Sequence, residues 1–203
     1  MLKKVEIDGY RLLNGFVAEL NPLTVVIGAN SVGKSTFLDS LQCIAQCADA
    51  PLNQVIDFHW GLPSLLNAAG NVQKLSWKIF FEKPDNQIWD KMPLESGKLY
   101  KYEVTLKSDI TGKAQPQHEL LGFAEPEKGH KDVFKYLEAT PYRRSIYSRE
   151  FHKLVPFDEA VSQTDKVKEP SPQYQNKDNT ALENPILEEA LMLSQIRFLN
   201  EFP

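Results

Sequence analysis

Gly28-Ala29-Asn30-Ser31-Val32-Gly33-Lys34-Ser35-Thr36 has the spacing G-x-x-x-x-G-K-[ST], the pattern of a loop that holds phosphates. Its glycines let backbone N–H groups close around phosphate oxygens. A helix starting directly after them aims the positive end of its dipole at the same point. In this pattern Lys34 reaches the β- and γ-phosphates, and the Ser35 hydroxyl ligates Mg²⁺. Gly28, Ala29, Asn30, Ser31, Val32, Gly33, Lys34, Ser35 and Thr36 are therefore the candidate cofactor-binding residues, with a nucleoside triphosphate and Mg²⁺ as what they hold and Ser35 as the metal ligand. The plainer alternative is a glycine-rich turn that holds nothing.

Such a loop needs a strand before it and a helix after it. Leu23-Thr24-Val25-Val26-Ile27 reads as a short buried strand. Ser35 to Ala48 reads as a helix, with Phe37, Leu41, Ile44, Ala45 and Ala48 on one face. Upstream, Val5, Ile7 and Tyr10 share a face and Leu12-Leu13 follow. Asn14-Gly15 is then the preferred two-residue hairpin turn, and Phe16 to Leu20 returns as a second, antiparallel strand. Asn21-Pro22 breaks that strand.

Downstream, Asp49 to Gly70 reads as irregular, with Pro51, Gly61 and Pro63 as breakers and Asp57-Phe58-His59-Trp60 packing under a loop. Leu75 to Phe81 and Leu99 to Leu106 alternate as strands. Shorter candidates are Glu119 to Ala124, Val133 to Ala139 and Arg144 to Ser148. Together they form an antiparallel β-meander rather than a run of βαβ units. Val161 to Pro185 is polar and reads as an exposed loop. Asn184 fits an N-cap and Pro185 a first helical position, for a last helix through Leu191, Met192 and Ile196 to about residue 200. The expected organisation of residues 1–203 is a single unit. It comprises a nucleotide-binding core over 1–48, an antiparallel β subdomain over 72–156, a loop over 161–185 and a C-terminal helix over 185–200.

Composition narrows the partners. The 203 residues are 42% hydrophobic and 25% charged, ordinary for a globular protein. A net charge of −4 supplies no global basic field for nucleic acid. No apolar run approaches the roughly 18 residues of a membrane span, so no membrane partner is expected. The N-terminus lacks an apolar secretory core, which makes a cytoplasmic location the expectation. Cys43 and Cys47 sit four apart on the expected helix, where small apolar packing explains them better than metal or redox chemistry. His59, His118 and His130 are scattered and form no ligand set. The strip from Tyr142 to Lys153 interleaves arginines with aromatics. It is the one stretch suited to DNA or RNA phosphates, and the charged face of a half-buried strand explains it more simply.

The order of elements resembles the N-terminal half of an ABC-type ATPase head of the RecF, SMC and OLD group, and looks most like single-chain AAA-family ATPases with that head. The resemblance is specific over roughly residues 2–45. It implies an α/β P-loop NTPase fold, an ABC-ATPase-like lobe with an N-terminal β-hairpin, a strand–P-loop–helix unit and an antiparallel β-meander. The family's strand ends in Phe-Lys or Phe-Arg ahead of the loop; Gly9-Tyr10-Arg11 stands there, so Arg11 is similar to the basic residue that touches the nucleotide phosphates. Where the family loop usually has a second glycine this chain has Ser31, tolerable at negative φ.

The resemblance also implies a glutamine that senses Mg²⁺ and the γ-phosphate, for which Gln195 is the candidate by position. No Ser-Gly-Gly-type signature loop is found, nor an apolar run ending in Asp-Glu. Leu154 to Glu159 comes nearest to that run and is interrupted by Pro156. No catalytic residue is assigned. What the resemblance implies is ATP binding by one side of a two-head sandwich, in DNA repair, chromosome maintenance or anti-phage defence. Hydrolysis then needs a missing Walker B and signature half or a homodimer partner. The alternative is a nucleotide-responsive interaction module without turnover.

Overall fold

The computed structural model describes residues 2–49, 52–68, 73–82, 97–148 and 153–156. Eight strands form one antiparallel sheet: β1 (Leu2–Asp8), β2 (Phe16–Glu19), β3 (Lys74–Glu82), β4 (Leu99–Ser108), β5 (Ala114–Phe123), β6 (Lys135–Thr140), β7 (Arg143–Ser148) and β8 (Lys153–Pro156). Their order is β2-β1-β3-β4-β5-β6-β7-β8, so the N-terminal hairpin continues the same sheet as the meander. Three helices complete the described fold, α1 (Lys34–Asp49), α2 (Leu52–Phe58) and α3 (Leu62–Leu65).

Period-two alternation decides which face the helices cover. Val5 pairs with Ile79 and Ile79 with Tyr102; Ile7 pairs with Trp77 and Trp77 with Val104. These residues are buried in one core with Phe37, Leu41 and Ile44 of α1, Val55 and Ile56 of α2, and Leu62 and Leu65 of α3. Two side-chain bonds fasten helices to sheet: Trp77 Nε1 donates to Ser40 Oγ at 2.8 Å, and Ala114 N–H donates to Asn53 Oδ1 at 3.0 Å. On the opposite face Glu6 stands between Lys4 at 2.7 Å and Lys78 at 3.8 Å, while Lys101 pairs with Glu103 at 3.0 Å. That face is a lattice of half-exposed ion pairs.

One acid lies inside. Glu119 is fully buried on the helix-covered side and accepts from the Tyr102 hydroxyl at 2.7 Å. Cys43 and Cys47 are buried free thiols within the same core.

The meander follows its expected course with shifted ends. β5 starts five residues ahead of Glu119 and tolerates Pro116 because its register with β4 slips there: Leu106 faces Pro116 while Thr105 faces His118. β6 covers Lys135–Thr140 rather than starting at Val133.

Four local expectations are corrected. The stretch Leu23 to Ile27 is not a strand. Leu23, Val25 and Ile27 are 84%, 73% and 86% exposed. An apolar segment becomes a strand only when neighbours take its N–H and C=O groups, and the described strands pair among themselves without reaching it. The hairpin turn is not Asn14-Gly15 alone. Ile7 pairs with Phe16, and the connection between them folds inward because Tyr10 and Leu13 are buried and bond each other's backbones at 3.0 and 2.7 Å. Residues 52–58 and 62–65 are helical rather than irregular, with Leu52, Val55 and Ile56 of the first and Leu62 and Leu65 of the second buried in the core. Between those two helices Trp60 and Gly61 both take positive φ, and Pro63 fits the first turn of α3. Phe58 and Trp60 do not pack under a loop; both are strongly exposed.

Candidate nucleotide-binding site

The segment from Asn21 to Val32 runs exposed along its whole length and enters α1 through Gly33. Gly33 has φ +101°, and a Cβ there would stand 3.7 Å from Leu13 Cδ2. That separation is ordinary van der Waals contact, so it is the positive φ that calls for glycine at this point. The helical ladder opens with Phe37 N–H donating to Gly33 O at 2.8 Å. The N–H groups of Lys34, Ser35 and Thr36 precede that first bond, so they belong to the orphan donors of a helix start. No acid stands in the first turn of α1 to offset the positive end of its dipole.

Lys34 folds over the loop. Its ammonium donates to the carbonyls of Gly28 at 2.7 Å and Ala29 at 2.6 Å. Both acceptors are exposed neutral oxygens, which a phosphate oxygen outcompetes as a partner for an ammonium. The Ser35 side chain is exposed at the helix start, with Thr36 half-buried beside it. Ser31 departs from the expected negative φ: it takes φ +65°. The loop bends there in the left-handed region, a conformation glycine adopts without strain and serine does not.

Arg11 lies on the neighbouring turn. Its own φ is +45°, its N–H donates to Leu65 O at 2.7 Å, and Asn67 N–H donates to Gly9 O at 2.9 Å. The Arg11 Nη1 reaches Asp39 Oδ2 at 2.7 Å, and the Tyr10 hydroxyl donates to the same oxygen at 2.6 Å. Burial first, and the Asp39 hydrogen bond second, push the Tyr10 phenol far above its ordinary range. Tyr10 is therefore a neutral donor throughout the physiological pH range.

The structure thus brings Gly28 to Thr36 into one loop at a helix N-terminus and sets Arg11 against the same helix through Asp39. Gln195 lies outside the described residues, as do Asp158 and Glu159, the expected loop over 161–185 and the expected last helix. Leu154 to Pro156 belongs to the edge strand β8, where a proline's missing N–H is harmless. In the basic strip Tyr142 is exposed in a turn, Tyr147 packs its ring 4.7 Å from Phe134, and residues 149–152 are outside the described set. Among the described residues no group of three or more His, Cys, Asp or Glu side chains is placed to hold a metal ion.

Sequence reasoning missed Asp39 altogether. It carries no motif of its own, and its partners Tyr10 and Arg11 are 29 and 28 residues away.

The set fits a triphosphate with its Mg²⁺: an ammonium, uncommitted helix N–H groups, an unopposed dipole and a hydroxyl at one point. A family model described as an AAA ATPase domain matches residues 1–194. No curated protein matches the chain. Among solved structures the chain is similar to one described as "Structural biochemistry of ATP-driven dimerization and DNA stimulated activation of SMC ATPases". Identity to it is 16% and the TM-score 0.41, over 59% of this chain and 68% of that one.

Proposed function

Because the chain belongs to the AAA ATPase domain family, we propose that it binds ATP with Mg²⁺ on the loop Gly28 to Thr36. In this reading the Lys34 ammonium leaves the Gly28 and Ala29 carbonyls for the β- and γ-phosphates, and backbone N–H groups at the start of α1 take the remaining oxygens. Ser35 holds Mg²⁺, which neutralises phosphate charge when bound, and Arg11 touches the phosphates from the side. Gln195 is kept as the γ-phosphate sensor of the same proposal. The observation that carries the reading is the Lys34 ammonium poised on two exchangeable carbonyls at the mouth of an acid-free helix N-terminus. Thermal unfolding tests it. Mg-ATP raises the midpoint of the intact chain and Lys34→Ala abolishes the rise; no rise in the wild type sinks the proposal.

We infer further that this loop is one side of a composite site. Hydrolysis needs a carboxylate and a positioned water. Among the described residues the acid nearest in sequence after the loop, Asp39, is occupied by Arg11 and Tyr10. The open apolar run of Leu23, Val25 and Ile27 supports the reading that more polypeptide covers this side, either a C-terminal half or a second head in a homodimer. Turnover by the complete assembly is expected, with a nucleotide-responsive module without turnover as the alternative. Steady-state phosphate release that is lost on Lys34→Ala rejects the alternative.

A cellular role in DNA repair, chromosome maintenance or anti-phage defence, with DNA as a partner, rests on the resemblance alone. Its test is whether duplex DNA changes phosphate release. No helix of the described residues is long and apolar enough to cross a membrane, and a cytoplasmic location is part of the same proposal.

A further inference from the structure

We propose that Asp39 is a positioning residue that fixes the Arg11 guanidinium beside the phosphate loop, with Tyr10 as the group that fixes Asp39. This role rests on the nucleotide reading of Gly28 to Thr36 and on Arg11 touching the phosphates.

Three features of the geometry point to it. First, the backbone around Arg11 is clamped: it sits at φ +45° with its N–H on Leu65 O at 2.7 Å, while Leu13, two residues on, lies against Gly33. The loop that carries Arg11 is therefore built onto the phosphate loop. Second, the contact to Asp39 is end-on. One guanidinium nitrogen, Nη1, meets one carboxylate oxygen, Oδ2, at 2.7 Å, rather than the two-pronged pairing that would occupy a whole edge. The Arg11 side chain stays 38% exposed, and a single bond to Asp39 leaves the guanidinium's other donors available to an anion. Third, Tyr10 makes the tether rigid. Its fully buried phenol donates to the same Oδ2 at 2.6 Å, and its ring lies 5.9 Å from that of Trp77 in the core. Asp39 projects from α1 five residues beyond Lys34, so the carboxylate and the ammonium ride on one rigid helix. A long, flexible arginine loses rotamer freedom when it binds a phosphate; holding it beforehand removes that loss from binding.

Calorimetric titration of the full chain with Mg-ATP tests the role through a double-mutant cycle of Arg11→Ala and Asp39→Asn, with thermal midpoints recorded alongside. Asp39→Asn keeps an oxygen for Tyr10 and removes the charge that holds Arg11. It is expected to weaken Mg-ATP roughly tenfold, the size of one charge-assisted hydrogen bond. In the Arg11→Ala background the same substitution is expected to change affinity by less than about twofold. Asp39→Glu, which retains the charge, is expected to restore most of the affinity.

A loss of equal size in both backgrounds means that Asp39 merely supports the fold, and overturns the role. Unchanged or tighter binding by Asp39→Asn means that the carboxylate competes with phosphate for Arg11, and overturns it too. If Asp39→Asn does not fold, Tyr10→Phe takes its place in the cycle, and absence of coupling to Arg11 again overturns the role. Wild type that binds no Mg-ATP removes the nucleotide reading and this role together, whereas wild-type binding without coupling removes this role alone.

Discussion

The helix-covered face of the sheet and the segment from Asn21 to Val32 are rich in the same apolar residues and have opposite fates. Trp77 is 2% exposed; Ile27 is 86% exposed. Trp77 has Ile7 and Val104 as cross-strand neighbours and Ser40 of α1 bonded to its indole. The segment ahead of the phosphate loop has neither. Burial is conferred by what lies on both sides of a residue, so hydrophobicity alone does not make a core. The comparison also separates two jobs. The sheet holds α1 in place through contacts such as Trp77 to Ser40, and the segment hands the loop to the helix without contributing to the core.

This contrast can be broken experimentally. The largest effect is expected for Trp77→Ala, which empties a core site, removes the bond to Ser40 and should cost about 3–5 kcal/mol in urea unfolding. A loss below about 1 kcal/mol would mean that the sheet core is not where stability resides. Next comes the ligand. Mg-ATP at a hundredfold excess over its Kd should stabilise the wild type by about 2.7 kcal/mol, and Lys34→Ala should forfeit all of that. Without nucleotide, Lys34→Ala should leave unfolding within about 0.5 kcal/mol of wild type, because its ammonium bonds are exposed.

Two substitutions inside the sheet rank below. Gly122→Ala would drive a Cβ to within 2.2 Å of Phe134 O and should destabilise by about 1–3 kcal/mol. Tyr102→Phe takes a hydrogen-bond donor from buried Glu119, at about 1–3 kcal/mol. Equal unfolding curves for Tyr102→Phe and wild type would show that Glu119 does not depend on that bond. The smallest effect belongs to Ile27→Ser, within about 0.5 kcal/mol for the chain by itself. A large loss there would sharpen the comparison in the other direction, by showing that the exposed run is covered in solution.

The sheet was legible because alternation is a local property. Leu75 to Phe81 and Leu99 to Leu106 announce their buried faces residue by residue, and the two strands pair antiparallel along their length. The phosphate loop was legible because its chemistry requires fixed spacing from Gly28 to Ser35. The two short helices over 52–65 were hidden by Pro51, Gly61 and Pro63, which read as breakers although Pro63 sits within a helical first turn. Leu23 to Ile27 misled in the opposite way. Five consecutive apolar or β-branched residues look like a buried strand, and only the absence of pairing partners among the described strands says otherwise.

The amino-acid sequence by itself determined that a loop with the spacing G-x-x-x-x-G-K-[ST] precedes an amphipathic helix and that an antiparallel meander follows, because motif spacing and periodicity are written along the chain. The tertiary structure decided what lies beside that loop. It folded the Tyr10–Leu13 turn onto Gly33, bent Ser31 to positive φ and brought Asp39 to Arg11 across 28 residues. Contacts between residues so far apart depend on how the sheet and α1 pack, and no local pattern encodes that packing.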